Sequence, residues 1–220
     1  MKQIKAYLFD MDGTLADSEN YYVNSTQNCF AEQGIHKTKE EIKDRIIGVD
    51  MDTTYKYVSE VLGVSVAKAK NIYDDYFLRN PLKYKDYLFP ESLEVIKTLK
   101  HRGYKLALCT VNERKCVDNF LSCGFEDLFD FVICYDDGVK MKPSPDVYLK
   151  AINALNLDPK EVIIVEDSTN GIKAGKNANA YVIGVDEANL NMDLSEADRV
   201  IKNLKEILWT NLSKYMVVKS

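Results

Sequence analysis

Short runs of consecutive apolar residues recur along this chain, and stretches with helical patterning separate most of them. A strand that is buried on both faces of a parallel sheet has such an unbroken run, whereas a half-exposed strand alternates. Strands that alternate with helices therefore predict an α/β fold with a doubly wound parallel sheet. The predicted strands are residues 4–9, 104–109, 131–134, 162–165, 181–185 and, with weaker patterning, 199–201.

Residues 15–86 interrupt this rhythm, because they contain helical patterns and no convincing strand. We predict that residues 1–14 and 87–220 form one α/β core, and that residues 15–86 form a small helical domain inserted after the first strand. The helical stretches of the insert end at Gly34, Gly48, Gly63 and Pro81.

Two helices of the core carry recognisable start signals. Asn112 is a residue type that caps helices, and a helical pattern follows it as far as Gly124. Ser144 precedes Pro145 and an acid, which predicts a serine cap with proline at the first helical position.

Composition excludes several classes of protein. The 220 residues carry a net charge of -5 and their basic side chains are scattered, so nucleic acid is not expected as a partner. No apolar stretch approaches the ~18–20 residues that span a bilayer, and no signal-peptide cleavage pattern is found near the start. We therefore expect a cytoplasmic protein that binds no membrane. Because the helical insert leaves few edges, we also expect a monomer. The five cysteines lack C-x-x-C spacing, which favours reduced thiols.

The polar residues that follow the predicted strands are sorted by chemistry. Open parallel sheets bind ligands beyond the carboxyl ends of their strands, so these residues are the first candidates for a site. Four acids, a hydroxyl group and one or two lysines stand there. They are Asp10 and Asp12 with Gly13 and Thr14 after the first strand, Thr110 with Val111 and Asn112 after the second, Lys140 and Lys142 after the third, and Glu166, Asp167 and Ser168 after the fourth.

This inventory has a consistent chemical meaning. Crowded carboxylates repel one another, and a divalent cation relieves the repulsion. Oxygen ligands without histidine or cysteine indicate a hard ion, and magnesium fits best. A hydroxyl, a lysine and backbone amides at helix N-termini suit a phosphate. Together they predict phosphoryl transfer, in which one carboxylate is the nucleophile and a second is the general acid and base.

Four motifs of the chain resemble those of a known family. D-x-D-G-T after the first strand, Thr after the second, K-P-S-P-D, and E-D-S after the fourth are similar, in order and spacing, to the four motifs of the haloacid dehalogenase superfamily. The resemblance extends over nearly the whole chain. It implies a Rossmann-like core, and it makes the helical insert similar to the C1-type cap of the phosphatase and beta-phosphoglucomutase-like members.

The resemblance implies a role for each acid. Asp10 would attack phosphorus. Asp12 would protonate the leaving oxygen and then deprotonate the water that cleaves the aspartyl phosphate. Magnesium would be bound by the carboxylates of Asp10 and Asp167 and by the backbone carbonyl of Asp12. Glu166 would either bind magnesium directly or contact the residues that bind it.

The same resemblance implies how phosphate would be held. Thr110 and the backbone amides of Val111 and Asn112 would bind the phosphoryl oxygens. Lys142 would balance the charge of the nucleophile and the phosphate. Lys140 is expected to be a solvated side chain, because the K-P-S-P-D motif begins at Lys142.

Asp12 distinguishes between branches of the family. Dehalogenases and phosphonate-cleaving members lack an aspartate at this place, so Asp12 favours phosphate-ester chemistry on a small phosphorylated metabolite. A phosphatase and a beta-phosphoglucomutase-type sugar phosphomutase then remain. Such mutases have a histidine where this chain has Tyr22, and a cap arginine soon after the position of Gly48. Asp50 and Asp52 stand there instead. Because an acidic loop would resist a second phosphate, we prefer hydrolysis.

Closure of a cap shapes the substrate pocket, so the insert supplies candidate contacts to the leaving group. These candidates are Tyr22, Gly48 and Asp50, and for each a packing or turn role is the competing explanation. A non-catalytic phospho-receiver-like signalling module is a further alternative, since it also accepts phosphate on an aspartate. Receivers are shorter and lack a helical insert, which weighs against this alternative.

Overall fold

A parallel sheet forms the centre of the fold. In this computed structural model, which describes residues 3–47, 49, 51–188 and 192–209, six strands pair into one sheet. All the pairings are parallel, as the unbroken apolar runs predicted. The strands are β1 (Ala6–Phe9), β2 (Lys105–Cys109), β3 (Phe131–Ile133), β4 (Val162–Glu166), β5 (Tyr181–Val185) and β6 (Arg199–Ile201).

The strand order brings the ends of β1 and β4 together. The order is β3-β2-β1-β4-β5-β6, so the chain runs outward from β1 in one direction and returns to β1 with β4. Phe9 is in register with Val165 of β4 and with Leu108 of β2. The residues that follow these three strands therefore lie side by side. This reversal of strand order is where open α/β sheets bind their ligands.

Helices cover both faces of the sheet, so the predicted doubly wound α/β fold is confirmed. A buried cluster on one face joins Ala6 and Leu8 of β1 to residues of α7 and α8. Tyr7 and Phe9 point to the opposite face, because side chains alternate along a strand. α5 contacts β2 and α9. Among the residues that the structure describes, the α-helices of this unit are α5 (Ser92–His101), α6 (Arg114–Leu121), α7 (Asp146–Ala154), α8 (Thr169–Asn177) and α9 (Glu206–Trp209).

The chain divides into two compact units. One contains residues 1–17 and 84–220, and the other contains Ser18–Lys83. The second unit is helical, with its own apolar core that includes Phe30, Ile42 and Val58. Within the described residues its helices are α1 (Ser18–Glu32), α2 (Lys39–Ile46), α3 (Met51–Leu62) and α4 (Val66–Arg79).

Local capping explains where two helices of the helical unit begin. Thr38 forms a capping box with Glu41, in which each side chain bonds the backbone N–H of the other. Ser65 accepts from the N–H of Lys68 at the start of α4. Two start signals of the α/β unit were wrong. α6 begins at Arg114 after Glu113, and α7 begins at Asp146 after Pro145.

Two further expectations can be compared with the structure. All five cysteines are free thiols, and Cys29, Cys109 and Cys134 are buried. Across the described residues, no helix combines the length and apolarity that crossing a bilayer requires.

Gly175 allows α8 to pack closely on the sheet. A Cβ atom at this position would lie 2.7 Å from Cγ2 of Val182 and 3.3 Å from Cγ2 of Ile164. These methyl groups belong to β5 and β4, whose buried side chains have no room to move aside.

We therefore expect Gly175→Ala to lower the free energy of unfolding by about 1–3 kcal/mol, the usual cost of overpacking a core. The intrinsic preference of helices for alanine over glycine, about 1 kcal/mol, acts in the opposite direction and is outweighed. Urea unfolding followed by circular dichroism measures the effect. Lys173→Ala, at a position of the same helix whose side chain is 43% exposed, is the control and should change stability little. A Gly175→Ala variant as stable as the parent would contradict this account.

Candidate active site

Three carboxylates meet at the ends of β1 and β4. Asp10 directly follows β1, Glu166 is the last residue of β4, and Asp167 follows it. One carboxylate oxygen of each lies within 4.8 Å of the others, and all three side chains are buried. The backbone N–H of Asp10 donates to the carbonyl of Val165 at 3.0 Å, which continues the strand pairing up to the site.

Lys142 neutralises part of this negative charge. It lies before α7, and its Nζ donates to Oδ1 of Asp10 and, at 2.6 Å, to Oε1 of Glu166. Its side chain is only 8% exposed. Burial acts to lower the pKa of Lys142, but Asp10 and Glu166 outweigh burial and raise it above its ordinary value. The lysine therefore stays charged at neutral pH.

Asp10 is held in a low-dielectric environment. Burial raises its pKa, Lys142 opposes the rise, and the neighbouring Glu166 carboxylate adds to it. The contact with Lys142 supplies the charge partner that an ionised buried carboxylate requires. Asp10 is thus a desolvated carboxyl group in direct contact with a buried cation.

Glu166 faces the interior of the α/β unit and accepts several hydrogen bonds. Its Oε1 accepts from Lys142 and, at 2.7 Å, from the Tyr148 hydroxyl. Its Oε2 accepts from the backbone N–H groups of Asp167 and Ser168, at 3.1 and 3.2 Å, and from the Ser168 hydroxyl at 3.1 Å. These five donors exceed the roughly four lone-pair sites of a carboxylate, so both oxygens are fully engaged.

Tyr148 supports this arrangement from α7. Its side chain is fully buried, and its ring centroid lies 5.1 Å from Nζ of Lys142. Burial, followed by the charge of Glu166, raises the pKa of Tyr148 well above its ordinary value. The hydroxyl therefore remains protonated and donates to Glu166.

The Gly13–Thr14 pair fits closely around Asp167. The hydroxyl of Thr14 donates to Oδ1 of Asp167 at 3.0 Å. Gly13 has a φ of 77°, and a Cβ atom on it would lie 2.0 Å from Oδ2 of Asp167. Any other residue at position 13 would therefore be strained and would also collide with this acid.

Asp12 has different neighbours from Asp10. Its side chain is partly exposed, its Oδ2 accepts from Nδ2 of Asn112, and its Oδ1 accepts from the Tyr84 hydroxyl at 3.0 Å. Both donors are uncharged. The two aspartates of D-x-D, although two residues apart, therefore have different hydrogen-bond partners: a charged ammonium for Asp10, and an uncharged amide and phenol for Asp12.

The segment after β2 is brought to the same edge. Thr110 is buried, and its Oγ1 accepts from the backbone N–H of Asn112 at 3.2 Å. Val111 is half-buried and packs against the core of the α/β unit. Asn112 does not cap α6, because its side chain reaches Asp12 instead. Binding of a phosphoryl group by these three residues stays a prediction.

The structure does not test the substrate contacts predicted for the helical unit. Tyr22 is 41% exposed in α1, and its ring packs against Tyr21 and stacks on Phe77. Gly48 and Asp50 lie outside the described residues. Substrate contacts by all three candidates stay predictions. Lys140 is exposed, as expected.

Two tyrosines of the site were not found from the sequence. Tyr148 lies six residues after Lys142; a buried hydroxyl needs a partner, and that need was the available signal. Tyr84 lies 72 residues from Asp12 with the whole helical unit between them. No local pattern links two positions so far apart.

The donor set fits a hard divalent cation. The carboxylates of Asp10, Glu166 and Asp167 offer only oxygen atoms, which magnesium prefers. Together with Asp12 they exceed the single positive charge of Lys142. A cation would reduce this excess of negative charge.

The chain belongs to the haloacid dehalogenase-like hydrolase family, whose family model matches residues 7–185. This membership agrees with the motif resemblance and with the fold. The protein CbbY of Rhodobacter capsulatus is 29% identical over 216 residues, which cover 92% of this chain and 94% of CbbY. The pyrophosphatase PpaX of Halalkalibacterium halodurans is 28% identical over 216 residues, which cover 94% of this chain and 96% of PpaX.

A solved structure has the same fold. A Thermotoga maritima protein that is provisionally assigned as a beta-phosphoglucomutase is 27% identical, with a TM-score of 0.75 over 97% of this chain and 100% of that chain. Among the curated relatives, the chain spans 18% of the length of a larger Arabidopsis thaliana protein, SUPPRESSOR OF QUENCHING 1, which is 28% identical over 83% of this chain. The chain is thus an enzyme of a hydrolase family, and curated relatives that are named phosphatases support a hydrolase on phosphate esters.

The Tyr148 hydroxyl provides a test of how Glu166 is held. Tyr148→Phe keeps the ring in the core and removes one donor to a buried carboxylate. We expect the free energy of unfolding to fall by about 1.5–3 kcal/mol, as for a hydrogen bond to a charged group. Urea unfolding measures this change, and Tyr135→Phe is the matched control, since Tyr135 is 52% exposed. Equal stability of the two variants would show that the hydroxyl is dispensable.

Proposed function

We propose that this protein is a magnesium-dependent phosphomonoester hydrolase that acts on a small phosphorylated metabolite through an aspartyl-phosphate intermediate. The observation that carries the proposal is the contrast between the two aspartates of D-x-D. Asp10 is buried against the Lys142 ammonium, whereas Asp12 is held by the neutral side chains of Asn112 and Tyr84. Carboxylates in such different environments suit different chemical roles.

Asp10 is the proposed nucleophile. One of its oxygens forms a bond to phosphorus while the bond between phosphorus and the leaving-group oxygen breaks. Lys142 keeps its proton and balances the negative charge that collects around the phosphoryl group. Glu166 holds Lys142 in place, and the five hydrogen bonds on Glu166 favour this positioning role over that of a metal ligand.

Asp12 is the proposed general acid and base. It gives its proton to the leaving oxygen, so the leaving group departs as an alcohol. Ionised Asp12 then takes a proton from water, whose oxygen bonds to phosphorus as the bond from phosphorus to Asp10 breaks. Inorganic phosphate leaves, Asp10 is again a carboxylate, and Asp12 again carries its proton.

The metal and phosphate sites follow from the same residues. The carboxylates of Asp10 and Asp167, with the backbone carbonyl of Asp12, are the proposed magnesium ligands. Bound magnesium would neutralise charge on the phosphoryl group. Thr110 and the backbone amides of Val111 and Asn112 are proposed to hold the phosphoryl oxygens; their position directly after β2, the strand that pairs with β1, supports this.

The helical unit is the proposed cap and carries the choice of substrate. Tyr22, Gly48 and Asp50 are its candidate contacts to the leaving group. We propose further that the protein acts in the cytoplasm as a monomer. The relatives that are named phosphatases support small phosphorylated substrates.

A sugar phosphomutase of the beta-phosphoglucomutase type is the second candidate. The provisional assignment of the Thermotoga maritima structure favours it. The side chains that replace the mutase histidine and arginine, Tyr22 and the acids Asp50 and Asp52, favour hydrolysis. A phospho-receiver-like module is disfavoured, because the family model is that of hydrolases.

Phosphate release from a panel of phosphorylated metabolites, with pyrophosphate included, tests the proposed function. We expect release with magnesium and none with excess EDTA, because the acids would then lack their cation. Asp10→Asn should lower kcat by about 10³-fold or more through loss of the nucleophile. Asp127→Asn, an exposed acid of the same unit, is the control and should keep full activity. Release that persists with EDTA or in Asp10→Asn would contradict the mechanism.

Incubation with glucose 1-phosphate and a trace of glucose 1,6-bisphosphate separates the two candidates. We expect inorganic phosphate to appear without accumulation of glucose 6-phosphate, because Asp50 and Asp52 disfavour a second phosphate. Coupled enzymatic detection of glucose 6-phosphate gives the readout. Formation of glucose 6-phosphate faster than inorganic phosphate would identify a mutase.

A further inference from the structure

We propose that Tyr84 is a positioning residue that orients the Asp12 carboxyl group for proton transfer to the leaving group. The proposal rests on the proposed function, in which Asp12 is the general acid. Tyr84 is 3% exposed, and its hydroxyl donates to Oδ1 of Asp12 at 3.0 Å. It belongs to a single helical turn, Tyr84–Asp86, that precedes α5.

The position of Tyr84 is set by packing that does not involve Asp12. Its ring meets Phe120 of α6 edge to face, with 5.7 Å between the centroids. Phe120 is fully buried and stacks in turn on Phe125. The hydroxyl is therefore presented to Asp12 from a rigid apolar base, and Tyr84→Phe would preserve that base.

The backbone around Tyr84 is tied to the loop that carries Asp12. The N–H of Tyr87 donates to the carbonyl of Tyr84 at 2.9 Å, and the carbonyl of Tyr87 accepts from the N–H of Asp17 at 2.6 Å. Ala16 pairs with Leu88 in an antiparallel bridge. Donor and acceptor thus belong to two segments that backbone hydrogen bonds hold together.

Asp12 requires an orienting contact of this kind. The terminal torsion of an aspartate has a broad energy minimum, so a carboxyl group rotates easily unless both oxygens are engaged. Asn112 holds Oδ2 and Tyr84 holds Oδ1. Proton transfer needs the acid within hydrogen-bond reach of the leaving oxygen, and loss of orientation lowers the rate even where the acid is present.

Leaving-group dependence tests the proposal. An alkyl phosphate needs a proton on its leaving oxygen, whereas p-nitrophenolate departs without one. In Tyr84→Phe we expect kcat and kcat/KM for the best alkyl phosphate of the panel to fall by about 10-fold, part of the usual 10²–10⁴-fold contribution of an acid. KM for that substrate and kcat/KM for p-nitrophenyl phosphate should change less than about 2-fold, since neither depends on the acid.

Two variants complete the experiment. Tyr104→Phe removes the hydroxyl of a tyrosine whose ring packs on Tyr7, away from the site, and should behave as the parent for both substrates. Asp12→Asn should show the same dependence on the leaving group as Tyr84→Phe, with a larger loss. Urea unfolding of each variant measures the folded fraction, and rates are expressed per folded molecule.

Each outcome decides between the proposals. Equal losses of kcat/KM for both substrates in Tyr84→Phe, or no loss for either, would overturn the role of Tyr84. A leaving-group-dependent loss of kcat/KM in Asp12→Asn would in that case still uphold Asp12 as the acid. A loss in Asp12→Asn that did not depend on the leaving group would overturn the acid role of Asp12 and the role of Tyr84 with it.

Discussion

The ammonium group of Lys142 lies between the carboxylates of Asp10 and Glu166, where the ends of β1 and β4 meet. Two buried acids that share one ammonium group lose hydration and repel each other. A cation with direct hydrogen bonds to both offsets those costs. The contact also joins three segments that are far apart in the chain. Without Lys142 the site would contain uncompensated buried charge, so the positions of the other polar groups depend on it.

Asp10 and Asp12 have identical side chains but different partners around this ion pair. Asp10 continues the line of β1 and meets a cation, whereas Asp12 lies beyond it and meets an amide and a phenol. Thr14, from the same short motif, donates to Asp167 and not within its own turn. Asp10, Asp12 and Thr14 of D-x-D-G-T therefore each bind a different partner, brought within reach by the order of the strands.

Much of the fold was predictable from the sequence. All six strands lie within two residues of the predicted apolar runs, because burial on both faces of a parallel sheet demands that composition. The predicted start of α6 was wrong, since the Asn112 side chain bonds Asp12 in place of the helix terminus. Ser144 likewise bonds the Asp146 side chain, and α7 begins one residue later than its signal. A cap signal is overridden when the capping side chain has a competing hydrogen bond, which is tertiary for Asn112 and local for Ser144.

By itself, the sequence determined the class of fold, the edge of the sheet where a site would form, and the acids and lysine that stand there. These follow from periodicity and from residues adjacent to strand ends, both of which are local properties. The tertiary structure decided which partner each group has. Tyr148 under Glu166 and Tyr84 beside Asp12 come from distant segments, and only the packing of helices against the sheet brings their hydroxyls to those carboxylates. Hydrogen-bond partners of buried groups depend on that packing, and no pattern along the chain encodes it.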